Sequence, residues 1–296
     1  MSYGEDLKMS INSNYINSKI DYQYERMPDY ETKYMLKEKH DQLLSVLLAF
    51  DQFCRENGIK YSLADGTLLG AIRHGDFIPW DDDADVMVTR DEYNKIIESI
   101  TEKSSIRILK IGFLDRVTIP DLIEQKIYVD LFINDDMPLN KFVFNIKKAK
   151  TRFLRNYFSF KVKNLRHSKY SLLKRIMYRI THAILWCVCH VYVFGRDVFK
   201  LNDKAVSIGH HKQSGIYTRF TSRMYETKRR FNKEQYEKGY GNILFRGKTL
   251  MSIKSARFFL SEMYGDYISL PKEEQRIPEH SVNMMENDGN YIKWLN

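Results

Sequence analysis

The chain has 296 residues, 43% of them apolar and 29% charged, with a formal net charge of +9. That length is enough to bury a substantial core, and the ordinary balance of apolar and charged residues excludes a wholly disordered or fibrous protein. Three cysteines, Cys54, Cys187 and Cys189, give neither a disulfide framework nor a Cys-x-x-Cys metal motif, and the first thirty or so residues lack the basic start and apolar run of a secretion signal, so reduced thiols and a cytoplasmic location are expected.

Residues 1–32 read as an N-terminal extension. From about Tyr34 to Asn57, residues such as Leu36, Leu43, Leu47, Phe50 and Phe53 recur at mostly helical spacing and stop at Gly58, which predicts a long helix. Ile59 to Leu63 alternates like a strand, and Gly66-Thr67 then reads as a tight turn into a short helix near Arg73, with Thr67 placed to cap it. Helix N-termini bind phosphate oxygens, so Gly66 and Thr67 are candidate anion ligands. Next come four aspartates, Asp81, Asp82, Asp83 and Asp85. If 83–88 is a strand, its period of two puts Asp83 and Asp85 on one face and turns Ala84, Val86 and Val88 into a core. Hard oxygen ligands without nearby thiols or an imidazole pair suit Mg²⁺ or Mn²⁺, which bind through a few carboxylates plus substrate phosphates. A solvated acidic turn is the bland alternative. The neighbouring anion-binding turn weighs against it, because the two together are the minimum apparatus of phosphoryl-group chemistry. Further on, 91–100 reads as a helix and 107–111 and 126–133 as strands, giving an α/β fold with a mixed sheet flanked by helices.

Gly66-Thr67-Leu68-Leu69-Gly70, Arg73-His74, Phe77-Ile78-Pro79-Trp80-Asp81-Asp82-Asp83-Ala84-Asp85 and Arg90 together resemble the signature of the LicD family, phosphocholine transferases of bacterial surface polysaccharides with fukutin-type proteins as distant relatives. The resemblance implies a nucleotidyltransferase-like fold in which a Gly-Ser/Thr turn precedes an Asp-x-Asp pair and a third carboxylate comes from a later strand. Asp130, inside the apolar run 126–133, fits that third place. The implied reaction is metal-dependent transfer of a phospho-alcohol, phosphocholine from CDP-choline first among them, to a sugar hydroxyl of a surface polysaccharide, teichoic acid or lipopolysaccharide precursor, with release of CMP. In it Asp83, Asp85 and Asp130 hold the cation and Asp130 serves the sugar hydroxyl. Gly66, Thr67 and Arg73 contact phosphate, and His74 fits either a phosphate contact or a structural place in its loop. Pro79 and Trp80 shape the loop, while Asp81 and Asp82 stand behind the ligands, Asp81 close enough to touch substrate. Phosphoethanolamine or ribitol phosphate would need much the same core, and a choline headgroup would want an aromatic cage. Glu262 to Tyr267, Leu270-Pro271 and His280 are similar to late family elements, although Tyr264-Gly265 reads equally well as a helix C-cap. No family signal is visible from about 141 to 236.

Charge is unevenly spread. Residues 146–200 hold 14 Lys and Arg against the single acid Asp197, a net of +13, so the remainder of the +9 chain carries −4. Within that stretch, 182–194 is apolar but only 13 residues long, short of the roughly 20 needed to span a bilayer. Two readings fit: a helix lying in the interface of an anionic membrane, or a buried core helix with a solvated basic face. Residues 33–140 are thus expected to be the catalytic core, 141–236 a basic, mainly helical segment, and 237–296 a part completing the catalytic domain. The expected partners are a CDP-linked donor, a glycan acceptor on a lipid carrier, and the inner face of the cell membrane. Two rival functions remain: an RNA-acting enzyme using basic residues interleaved with Phe153, Tyr157, Phe158, Phe160 and Tyr170, for which no RNA module is present, and a non-catalytic scaffold, which the intact acidic set argues against.

Overall fold

The computed structural model describes residues 15–17, 29–111, 113–155, 157, 171–209, 213–220, 230–236, 238–278 and 292–295. The helices are α1 (Tyr30–Lys33), α2 (Lys37–Glu56), α3 (Asp65–Arg73), α4 (Arg90–Ser99), α5 (Lys141–Arg155), α6 (Leu172–Val193), α7 (Val198–Val206), α8 (Lys233–Tyr236) and α9 (Ala256–Tyr264). The strands are β1 (Ser62–Leu63), β2 (Asp85–Thr89), β3 (Arg107–Ile111), β4 (Leu114–Thr118), β5 (Val129–Pro138), β6 (Gln213–Thr218), β7 (Phe231–Asn232), β8 (Tyr240–Phe245), β9 (Lys248–Ile253) and β10 (Ile292–Leu295). His280, Phe158, Phe160, Tyr170 and most of the N-terminal extension lie outside the described residues.

Two compact units emerge, residues 1–134 with 231–296, and residues 135–230. In the first, the mixed sheet expected from the sequence runs β1-β2-β5-β4-β3-β10, with β2 and β5 parallel and the other neighbours antiparallel. Val86, Met87 and Val88 are all fully buried, so β2 is covered on both faces, as a parallel pair usually is. Helix α2 buries Leu43, Val46, Leu47, Phe50 and Cys54, the spacing of one helical face. The β8–β9 hairpin is tied to β1 by the Ser62 and Ser252 hydroxyls, 3.0 Å apart in the core.

The second unit has its own small core of Phe144, Val206 and Phe220. Here β5 continues and pairs with β6 through Asp135↔Thr218 and Asp136↔Tyr217, then shifts register before Pro138. Lys147 on α5 is fully buried, its ammonium donating to the Asp136 carbonyl at 3.3 Å and lying 4.1 Å from the centre of the Phe220 ring. A buried charge is costly unless paired or hydrogen-bonded, so this lysine is held by carbonyl and ring together.

Several boundaries differ from the sequence reading. The first long helix begins at Lys37 rather than Tyr34, because Met35 adopts a left-handed φ of 55° and splits α1 from α2. The Asp strand begins at Asp85, which leaves Asp83 in the approach loop. Strand β4 was not expected: Leu114 to Thr118 carries Asp115 and Arg116 mid-strand, and such charges break the apolar pattern by which strands are recognised. The apolar stretch at 182–194 belongs to a 22-residue helix, α6, because Leu172, Leu173, Ile176, Met177 and Ile180 continue its periodicity between the cations Lys174, Arg175 and Arg179. By length and composition α6 passes as a membrane-crossing helix, yet only Cys189 and Val193 in it are buried, which removes the core-helix reading. Tyr264-Gly265 is a helix C-cap, Gly265 ending α9 at a φ of 68°.

At Gly70 the helix backbone presses closely on the loop backbone. A Cβ there would sit 2.5 Å from the Asp76 carbonyl oxygen and 3.0 Å from the Ile78 nitrogen, both backbone atoms that cannot swing aside. Helix propensity favours Ala over Gly by about 1 kcal/mol, but overpacking costs roughly 1–3 kcal/mol and backbone collisions fall at the upper end. Gly70→Ala is therefore expected to lower stability by about 1–2 kcal/mol, read as an earlier urea midpoint at unchanged slope.

Candidate active site

The site is built where the chain leaves β1. Ala64 is extended, Asp65 takes a left-handed φ of 41°, and α3 starts at once. Two residues on, the Thr67 hydroxyl accepts the backbone N–H of Asp85 at 2.8 Å, while Ala64 N–H donates to the Asp85 carbonyl at 3.0 Å. Thr67 is thus not the cap of α3, which starts two residues earlier; its hydroxyl fixes the first residue of β2. Gly66 makes room for a carboxylate, since a Cβ on it would stand 2.5 Å from Asp81 Oδ2. The Asp81 side chain therefore lies against the first turn of α3, where unpaired helix N–H groups favour negative charge.

Asp85 and Asp130 are register partners on the parallel strands β2 and β5, so their side chains leave the sheet on the same face. Arg116 on β4 is the next partner of Asp130 in that row, and its Nε donates to Asp130 Oδ1 at 2.7 Å. Three neighbouring strands thus present carboxylate, carboxylate and guanidinium side by side. Removal from water pushes the Asp85 carboxyl well above its usual range, and the charges of Asp83, Asp65, Asp130 and Asp81 push it further. The Asp81 carboxyl is raised in the same way, first by burial, then by the charge of Asp83 and by the hydrogen bond the two carboxyls share. Five carboxylates, Asp65, Asp81, Asp83, Asp85 and Asp130, accordingly occupy one neighbourhood.

Such an assembly repels itself unless protons or a cation offset it. The donor set is all oxygen, which fits a hard divalent ion. Among the described residues, however, no three His, Cys, Asp or Glu side chains converge as a finished metal-ligand group. Asp130 gives one oxygen to Arg116, and Asp81 and Asp83 bond to each other. The fit is one of chemistry and neighbourhood, with the ligands still paired among themselves.

The loop bearing the aspartates is fastened on several sides. His40, on α2, hydrogen-bonds the Asp81 carbonyl through Nε2 and Glu31 through Nδ1, both at 2.8 Å, with its ring stacked on Phe77 at 4.4 Å. Buried Asp82 pairs with Lys39 at 3.3 Å, so it is an anchor of the loop. Arg246 grips both oxygens of Asp76 at 3.1 Å and donates its backbone N–H to Gly75 O at 2.7 Å. Trp80 packs edge-on against Tyr30 at 5.3 Å, with the Arg276 guanidinium 5.7 Å from its ring. Arg90, at the start of α4, lies 5.2 Å from the Tyr93 ring.

Arg73 also ties the framework together, and His74 beside it is largely buried. Arg73 is buried and donates to the Tyr267 carbonyl at 3.1 Å and the Ser269 carbonyl at 3.5 Å, joining α3 to the turn after α9. Desolvation, and then the charge of Arg73, bring the His74 pKa down to about 3, so the imidazole is neutral at neutral pH and has no proton to give a phosphate as an acid. Sequence reasoning missed Asp65, Arg116, Lys39 and His40. Asp65 abuts the glycine turn and could have been suspected as a fifth acid; Arg116 could not, because its partner is set by strand register.

The His74 shift predicts a pH effect. The folded pKa lies below the unfolded value of 6.5, so the unfolded chain takes up a proton that the folded chain refuses, and stability is lost as pH falls from 6.5 toward 3. Relative to His74→Gln, the wild type is expected to lose up to about 1.4 kcal/mol per pH unit in that window. Urea titrations of both proteins at pH 7, 6 and 5 check it; parallel curves would show that the imidazole protonates in the folded state.

Comparison with known proteins follows the same residues. The model of the LicD/FKTN/FKRP nucleotidyltransferase domain matches residues 58–173, from just before β1 to the start of α6, so family likeness extends into residues 141–173, which carry no recognisable motif. The lipopolysaccharide cholinephosphotransferase LicD of Haemophilus influenzae is 28% identical over 274 residues, covering 84% of this chain and 97% of that enzyme. An uncharacterised Rickettsia prowazekii protein, RP689, is 25% identical over 146 residues, 44% of this chain and 55% of its own. Residues 58–173 are thus similar to the LicD/FKTN/FKRP nucleotidyltransferase domain, and most of the chain to a lipopolysaccharide cholinephosphotransferase.

Proposed function

We propose that the protein is a LicD-type phosphotransferase that moves a phospho-alcohol, phosphocholine from CDP-choline, to a sugar hydroxyl of a lipopolysaccharide-type acceptor and releases CMP. Likeness to the Haemophilus influenzae cholinephosphotransferase over nearly its whole length supports the activity class. The observation that carries the chemistry is the Asp85–Asp130 pair on adjacent parallel strands, with Asp83 beside it.

A divalent cation such as Mg²⁺, held by Asp83, Asp85 and Asp130, would screen the charge of the donor diphosphate. The chain's own residues do the rest. Arg116 fixes one oxygen of Asp130, which leaves the second to accept the proton of the attacking sugar hydroxyl. The new bond joins the sugar oxygen to the choline-bearing phosphorus. The bond from that phosphorus to the bridging oxygen breaks in line, and CMP departs with the electron pair. Gly66 leaves room for the Asp81 carboxylate against the first turn of α3, Thr67 holds β2 in register, and Arg73 secures the turn after α9. The acceptor is a glycan on a lipid carrier, which places the reaction at the cytoplasmic face of the cell membrane.

The RNA-acting reading gains nothing from the geometry. Phe153 packs edge-on against Tyr192 at 5.6 Å and Tyr157 stacks on His190 at 4.4 Å, so these two rings, proposed as a base-stacking platform, are spent between helices. Incubating the protein with Mg²⁺, a glycan acceptor and a panel of CDP-alcohols, with mass spectrometry of CMP and product, is expected to show turnover with CDP-choline. Asp85→Asn and Asp130→Asn should each reduce it roughly a hundredfold or more, and EDTA should stop it until Mg²⁺ is restored. Wild type and variants equally silent on the whole panel would favour a scaffold.

A further inference from the structure

Helix α6 is amphipathic the wrong way round for a soluble protein. Leu173, Ile176, Ile180, Ile184, Val188 and Val191 recur every three or four residues, which stacks them on one face along the whole helix, and each is 44–77% exposed. The opposite face packs inward: Cys189 and Val193 are buried, Cys189 Sγ donates to the Phe153 carbonyl at 3.3 Å, and His190 stacks on Tyr157. At about 1.5 Å per residue the Leu173–Val191 strip is roughly 27 Å long, and no described residue covers it. Monomeric soluble proteins rarely leave so continuous a strip in water.

Charge identifies what covers it. Lys174 and Arg179, both exposed, flank the strip on either side in its first two turns, and no acidic residue stands between Asp136 and Asp197. A second copy docking face to face would bring a segment of net +13 against another of +13, which self-repulsion opposes. An anionic lipid surface supplies an apolar layer and negative headgroups at once. Crossing the bilayer would require α6 to give up its inward contacts and carry three cations into hydrocarbon.

We propose that α6 lies in the plane of an anionic bilayer, with the Leu173–Val191 face sunk at the acyl boundary and Lys174 and Arg179 at the headgroups. The inference rests on the membrane-side location proposed above but not on the transfer chemistry. Full-length protein is tested by flotation with phosphatidylcholine vesicles with and without phosphatidylglycerol. Wild type should float with the anionic vesicles and be released by salt. Ile180→Asp/Ile184→Asp should bind at least tenfold less, while circular dichroism and CMP release from soluble substrates stay unchanged. Lys174→Glu/Arg179→Glu should weaken binding roughly fivefold for each cation removed. Equal flotation of the Asp variant, failure of wild type to bind either vesicle, or a wild-type dimer that the Asp variant turns into monomer would overturn the proposal. Intact flotation without CMP release would sustain it and defeat only the transfer reading.

Discussion

Two carboxylates set side by side on parallel strands govern the design of the first unit. Asp85 and Asp130 cannot share one face of a covered sheet without an electrostatic penalty, and the chain answers it with an Asp130–Arg116 bond in the same cross-strand row. With Asp83, Asp81 and Asp65 added, the neighbourhood holds far more negative charge than one guanidinium offsets. Such an excess is stable only if protons are retained or a cation is supplied. The raised Asp81 and Asp85 carboxyls are the first of these solutions, and a divalent ion bridging to a diphosphate would be the second.

Keeping the acids in place demands rigidity in a loop that has no regular structure. It is gained through groups distant in sequence: His40 and Lys39 from α2, Arg246 from the β8–β9 turn, and the Gly70 backbone pressed against 76–78. Motif residues that look like substrate contacts also take part in this bracing. Arg73 reaches carbonyls after α9, and Thr67 holds the strand that carries Asp85. Positioning of this kind suits the proposed transfer, because small displacements of reacting groups are expensive in rate.

Much of the arrangement could be read in advance. The short helix before the acids, the Asp-x-Asp pair, the apolar run around Asp130 and the mixed sheet all follow from periodicity and chemistry local to a few residues, while the Gly66-Thr67 turn lies inside α3, which begins at Asp65. What escaped depends on register and on contacts far apart in the chain. Asp83 fell outside β2 because the strand is shorter than its alternation suggests, and β4 was invisible because Asp115 and Arg116 interrupt its apolar pattern. The apolar part of α6 read as too short because its cations hid a continuous helical face that only appears when the residues are wound three or four apart.

The left-handed backbone of Asp65 sets stability against function at a single position. Glycine or asparagine adopts that φ of 41° more cheaply than aspartate, so a chain selected only for endurance would drift away from the acid there. Any thermostabilising campaign on this scaffold that samples position 65 would therefore be rewarded for dismantling the negative field around Asp85, and its hardiest products would be the poorest places for a cation to settle.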